Sequence, residues 1–223
     1  MKKSILTFTI LIPLFATGCG NASNPQNANE NATQEERTSN NLTADDLKII
    51  NKYNGYLESS LSENFPSLME EILPEIGNIS NKYEREKIQM NIYLVLNRYE
   101  DAYRLNEKQL AESPTSATRL TFKCQLLALL NKDKNQIVEC HDNAAKQIKV
   151  ELDKMSKSDP ARVEGEFAYY LEMYKAGHLE YKNKMQKLIS TLKDESLKIW
   201  FSTVYNIEVE ALYKSGSAGV KAD

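Results

Sequence analysis

From 42 to 214 the apolar residues of this chain recur at three- and four-residue steps, and no run shows the two-residue alternation of a half-buried strand. That pattern confines the folded part to helices. Thr43 stands where a helix N-cap is expected, and behind it Leu47, Ile50, Tyr53 or Asn54, Leu57 and Leu61 trace one stripe. Breakers are few and read as boundaries: Pro66, Pro74 and Gly77, then Ser113-Pro114, then Ser158-Asp159-Pro160, then Gly177. Between them the spacing predicts helices over 44–61, 67–76, 81–97, 99–112, 117–131, 134–156, 161–176, 179–192 and 195–213. Helices joined by links this short form either stacked antiparallel hairpins or an irregular bundle.

The flanks of this region have a different composition. Lys2 and Lys3 precede an apolar run of twelve residues, 5–16, and Thr17-Gly18-Cys19 follows. At about 1.5 Å per residue the run falls short of the ~30 Å of a hydrocarbon core, so it reads as a secretory signal rather than a transmembrane anchor. Residues 20–41 contain seven asparagines and no aromatic or large aliphatic side chain. Such a segment cannot bury enough apolar surface to offset its own ordering and reads as a tether, about 25 Å in root-mean-square span. The division expected is therefore a signal over 1–18, a tether over 19–41, a single all-α domain over 42–214 and a flexible tail over 215–223.

Ala16-Thr17-Gly18-Cys19 resembles the lipobox of bacterial lipoproteins, although family members usually carry Leu where Ala16 stands. The resemblance implies that Cys19 is acylated and becomes the N-terminus, anchoring the chain to a membrane through lipid. Several acyl chains at ~0.8 kcal/mol per buried CH₂ hold a soluble domain firmly, whereas one chain binds marginally. Gly20 after the cysteine, rather than Asp, resembles lipoproteins sorted to the outer membrane of Gram-negative bacteria, facing the periplasm. Loss of the signal leaves 26 basic against 31 acidic residues, a formal −5. An acidic chain is not drawn to anionic lipid by charge, and it lacks the basic stripe of a nucleic-acid binder.

Within the helical region, 83–114 resembles a tetratricopeptide repeat. Tyr93 falls where the first helix carries an aromatic, Tyr99-Glu100-Asp101-Ala102 matches the start of the second helix, and Pro114 sits at the closing proline. Ala102 is the small residue needed where the two helices approach most closely. Gln89-Met90 replaces the usual Leu-Gly pair, and Asn106 and Gln109 replace an aromatic and an alanine. Looser second and third hairpins follow at 117–145 and 163–192. The resemblance implies a fold of stacked, tetratricopeptide-like hairpins.

Cys124 and Cys140 lie eight residues either side of a turn centred near 132, which places them at one height in an antiparallel hairpin. In an exported, oxidising compartment this favours a disulfide. The competing reading is a redox or metal site using Glu139-Cys140-His141-Asp142; adjacent Cys and His point to different helix faces, so no metal site is expected.

Signals for catalysis are poor. His141 and His178 belong to no His-Glu-x-x-His pattern, Ser217 trails a helix instead of joining a strand to one, and no glycine-rich phosphate loop occurs. Carboxylate pairs such as Glu70 and Glu71, or Glu208 and Glu210, read as solvated faces. No catalytic residue and no cofactor are expected, and an envelope hydrolase is the least favoured reading.

Aromatic residues crowd the C-terminal helices. Phe167, Tyr170, Leu171 and Tyr174 share one helical face, Tyr169 and Met173 lie off it, and Trp200, Phe201 and Tyr205 follow in the last helix. They are either core filling or a partner surface, since a helix apolar on two sides must cover both. Taken together, these features describe a lipid-anchored protein that binds another protein. The specific expectation is an immunity-type inhibitor, resembling small periplasmic lipoproteins that neutralise a secreted antibacterial toxin such as a type VI lipase effector. The alternative is a pilotin-like scaffold of envelope assembly.

Overall fold

The computed structural model describes residues 42–210. The signal-like run, Cys19, the tether and the tail lie outside the described residues. Within them the chain is all-helical, with helices α1 (Ala44–Leu57), α2 (Phe65–Ile76), α3 (Lys82–Val95), α4 (Tyr99–Glu112), α5 (Ala117–Leu129), α6 (Lys134–Lys154), α7 (Arg162–Lys175), α8 (Tyr181–Thr191) and α9 (Glu195–Tyr205), then a π-helical turn at Asn206–Glu210. No helix among the described residues is long and apolar enough to cross a membrane.

Most of these helices begin at residues whose side chains replace missing backbone acceptors. The Thr43 hydroxyl accepts from the Asp46 N–H while the Thr43 N–H donates to the Asp46 carboxylate, a reciprocal capping box. Asn81, Ser116, Asp133 and Asp194 cap α3, α5, α6 and α9 in the simpler one-way manner. Pro66 occupies the first turn of α2, where its missing N–H has no intrahelical partner to lose. Pro74, expected as a boundary, lies inside the last turn of the same helix.

Three helix ends share one device. Asn97, Asn131 and Gly177 have positive φ of 54°, 52° and 96°. At each, two backbone N–H groups fold back on the helix: Arg98 to Tyr93 and Asn97 to Leu94, Lys132 to Leu127 and Asn131 to Ala128, His178 to Met173 and Gly177 to Tyr174. This is the Schellman cap, and it stops α3, α5 and α7, the first helix of each expected hairpin. Asn97 and Asn131 stand 34 residues apart, so the caps of the first two hairpins repeat at that interval.

Each helix packs chiefly on its neighbours in sequence, so the described chain is a stack of antiparallel helical hairpins. The core is correspondingly divided into small clusters. Met69, Ile72, Ile76, Ile79, Ile88 and Ile92 gather with Tyr53 and Phe65 around α2, each of the fully buried side chains contributing about 1.5–3 kcal/mol. Met90, Ala102 and Leu126 form the next cluster, and Ala117, Ile148 and Leu152 a third. Ala102 is fully buried, as its close-approach position requires. Asn106 and Gln109, the departures from the repeat pattern, build a polar layer instead of an apolar one. Asn106 is fully buried and donates to the Arg119 carbonyl at 3.1 Å, while Gln109 donates to buried Glu86, which also pairs with Lys108 at 2.9 Å.

The stripe on α1 faces differently from expectation. Leu47 and Leu57 are exposed, Leu61 lies past the helix end in full solvent, and the buried edge runs through Asp46, Ile49, Ile50, Tyr53 and Tyr56. Asp46 turns inward because Ser80 supplies two donors to its carboxylate, both at 2.6 Å. Those bonds, the Ser80 hydroxyl first, hold its pKa down at about 2.

Candidate functional site

Helix α7 lies between α6 and α8 and therefore buries two faces. Its α6 face carries Gly165, Ala168, Tyr169 and Glu172. A Cβ on Gly165 would meet Leu152 Cδ2 at 2.8 Å, so the glycine sets the closeness of α6 and α7. Tyr169 packs against the cluster of Ala117, Ile148 and Leu152.

The second face meets α8 and α9, where the aromatic residues divide. Phe167 and Phe201 are buried and stacked, with centroids 4.2 Å apart at 12°. Tyr205 is also buried. These two residues of α9 are core, not partner surface. Trp200 is half-buried and tilts on Phe201 at 5.1 Å. Tyr169, Tyr170 and Tyr181 form a ring cluster with centroids 5.7–5.8 Å apart. The Tyr169 and Tyr181 hydroxyls lie 3.2 Å apart, and this hydrogen bond pushes the Tyr169 phenol up to about 12. Tyr170, Met173 and Tyr174 remain half-buried. Leu179 and Ile199 on the same C-terminal segments are 70% and 66% exposed. Glu208, expected on a solvated face, instead pairs at 2.6 Å with Lys175, tying the π-helical turn to the end of α7.

One helix earlier, Cys124 on α5 and Cys140 on α6 are joined by a disulfide, their Cα atoms 5.5 Å apart. Beside it His141 Nδ1 lies 2.8 Å from Glu172 Oε2, both side chains buried. Cys140 and His141 do point to different sides of α6: the cysteine meets α5 and the histidine meets α7. Cys124 nevertheless closes a set across three helices, because its Sγ, a His141 ring nitrogen and a Glu172 oxygen all lie within 4.8 Å of one another. Sequence reasoning passed over Glu172. The available signal was a lone carboxylate inside the otherwise uncharged run Phe167-Ala168-Tyr169-Tyr170-Leu171-Glu172-Met173-Tyr174.

Comparison with protein-family models, curated proteins and solved structures gives no match to this chain. The functional reading therefore rests on the residues themselves.

Proposed function

We propose that the chain is a lipid-anchored envelope protein whose helical body binds another protein. The reading joins the lipobox-like Ala16-Thr17-Gly18-Cys19, which would tether the body to the periplasmic face of the outer membrane, with an unfinished apolar surface at the C-terminal end of the stack. The observation that supports it is that the C-terminal segments carry half-buried Tyr170, Met173, Tyr174 and Trp200 as well as exposed Leu179 and Ile199. Tyr, Trp and Met are the residue types enriched at interface centres, where large area comes with few rotatable bonds. The specific form proposed is an immunity-type inhibitor of a secreted antibacterial toxin such as a type VI lipase effector.

The test uses the full chain carrying Cys19→Ser, co-purified with the product of a toxin-like gene sought among those flanking its own. A stoichiometric complex is expected, weakened about 30-fold or more by Tyr170→Ala or Ile199→Asp. Absence of a complex with that product overturns the immunity form. A stable complex with an envelope-assembly component instead would move the reading to the scaffold. Indifference of any complex to both substitutions would remove the C-terminal surface from the account. An unmodified N-terminus in mass spectrometry of the mature protein would refute the lipid anchor.

A further inference from the structure

A buried carboxylate and a buried imidazole are expensive to hold together in a helical stack, where an apolar pair of similar volume packs without a desolvation penalty. Here they sit against a sulfur. Cys124, His141 and Glu172 are 0%, 5% and 2% exposed, come from three successive helices, and present donor atoms within 4.8 Å of one another. While Cys124 is bonded to Cys140 its sulfur is a poor ligand and the site is closed to metal. We propose that reduction of the Cys124–Cys140 bond converts this corner into a binding site for a thiophilic divalent cation of the zinc type, held by Cys124 Sγ, His141 Nδ1 and Glu172 Oε2.

The donor set and the distances fit. Thiolate, imidazole and carboxylate are the ligands of tetrahedral zinc, at about 2.3 Å for sulfur and about 2.0–2.2 Å for nitrogen and oxygen. Those bond lengths give donor–donor edges of roughly 3.3–3.7 Å. The present Nδ1 to Oε2 distance of 2.8 Å is that of a hydrogen bond and has to open by about half an ångström. The legs to sulfur contract from 4.8 Å or less, a movement within reach of side-chain torsions. The fourth vertex is open to water or to the released Cys140 thiolate. The chemistry balances with an external dithiol: the protein S–S bond breaks, the dithiol becomes its own disulfide, and Cys124 and Cys140 each gain a hydrogen. Binding of the cation then displaces the Cys124 thiol proton to solvent and leaves His141 with its ring hydrogen on Nε2. Disulfide and metal are mutually exclusive states of one corner, so reoxidation expels the cation.

The two cysteines are equivalent in the disulfide but not in this site, and the test uses that difference. Metal-stripped full chain carrying Cys19→Ser is titrated with Co²⁺ alone, watching the thiolate-to-cobalt charge-transfer band, and then with Zn²⁺ in competition. Expected are one equivalent bound by the dithiol-reduced protein and none by the oxidised protein. Cys140→Ser, which leaves Cys124 free, binds without any reductant, whereas Cys124→Ser gives no band with or without it. Glu172→Gln, which takes the charge from a direct ligand, weakens zinc binding by at least the roughly 10–100-fold that loss of an outer-shell partner costs. No thiolate band in the reduced wild-type protein, or equal bands in the two single-cysteine variants, would overturn the proposal. The comparison of reduced with oxidised wild-type protein needs no substitution at the site, so a variant that fails to fold does not blunt it.

Discussion

Reducing the Cys124–Cys140 bond in a chelating buffer lowers the melting temperature of the folded chain by about 8 °C. The bond closes a loop with a sequence separation of 16. In the chain-entropy description, opening such a loop returns about 3 kcal/mol of freedom to the unfolded ensemble. The native state changes little, because α5 and α6 are also held together by Ala117 packing against Ile148 and Leu152. Unfolding entropy near 2.1 cal/mol/K per residue over the 169 described residues is about 0.35 kcal/mol/K, and dividing one figure by the other gives the shift. Differential scanning calorimetry of oxidised and reduced protein reads it directly, and a double Cys124→Ala, Cys140→Ala variant falls near the reduced form. A difference below about 2 °C would refute the reasoning, since the loop would then be no freer in the unfolded chain than in the folded one. The chelator matters, because zinc binding to the reduced corner would restore part of the lost stability.

Three other outcomes follow from the geometry. The Asp46 pKa of about 2 against an ordinary 3.8 means that its contribution to stability is complete above about pH 4 and is lost as pH falls toward 2; in urea denaturation Asp46→Asn is less stable than wild type at neutral pH, and the gap narrows across that window. The Tyr169 phenol at about 12 contributes stability that is fully present below about pH 10 and lost as pH rises through 12; removing the Tyr181 hydroxyl with Tyr181→Phe brings its phenolate absorbance transition back toward 10. Gly165→Val forces side-chain atoms into Leu152 at the α6–α7 contact and destabilises by about 1–3 kcal/mol, measured as a fall in the urea midpoint.

Local chemistry made most of the architecture legible in the sequence. Helix starts follow from Thr43, Asn81, Ser116, Asp133 and Asp194, whose short polar side chains bond to N–H groups two or three residues away, and helix ends from Asn97, Asn131 and Gly177, which accept positive φ. The disulfide was readable as well, because equal distances from one turn bring two residues to equal height in a hairpin. These determinants all act within a few residues, or across a single link whose length is written in the chain.

Tertiary structure alone decided which faces are inside. On α1 periodicity marked Leu47, Leu57 and Leu61 as an apolar edge, yet Asp46 is buried and those leucines are not, since two donors from Ser80 across the stack satisfy the carboxylate. In the C-terminal helices, spacing could not separate Phe201 and Tyr205, which fill the core, from Tyr170 and Trp200, which reach the surface; the packing of α7 between α6 and α8 makes that distinction. The convergence of Cys124, His141 and Glu172 was likewise invisible, because each lies on a different helix and their meeting depends on helix rotation and on the close approach that Gly165 permits. Capping and periodicity are properties of neighbours along the chain, whereas burial and ligand geometry are properties of neighbours in space.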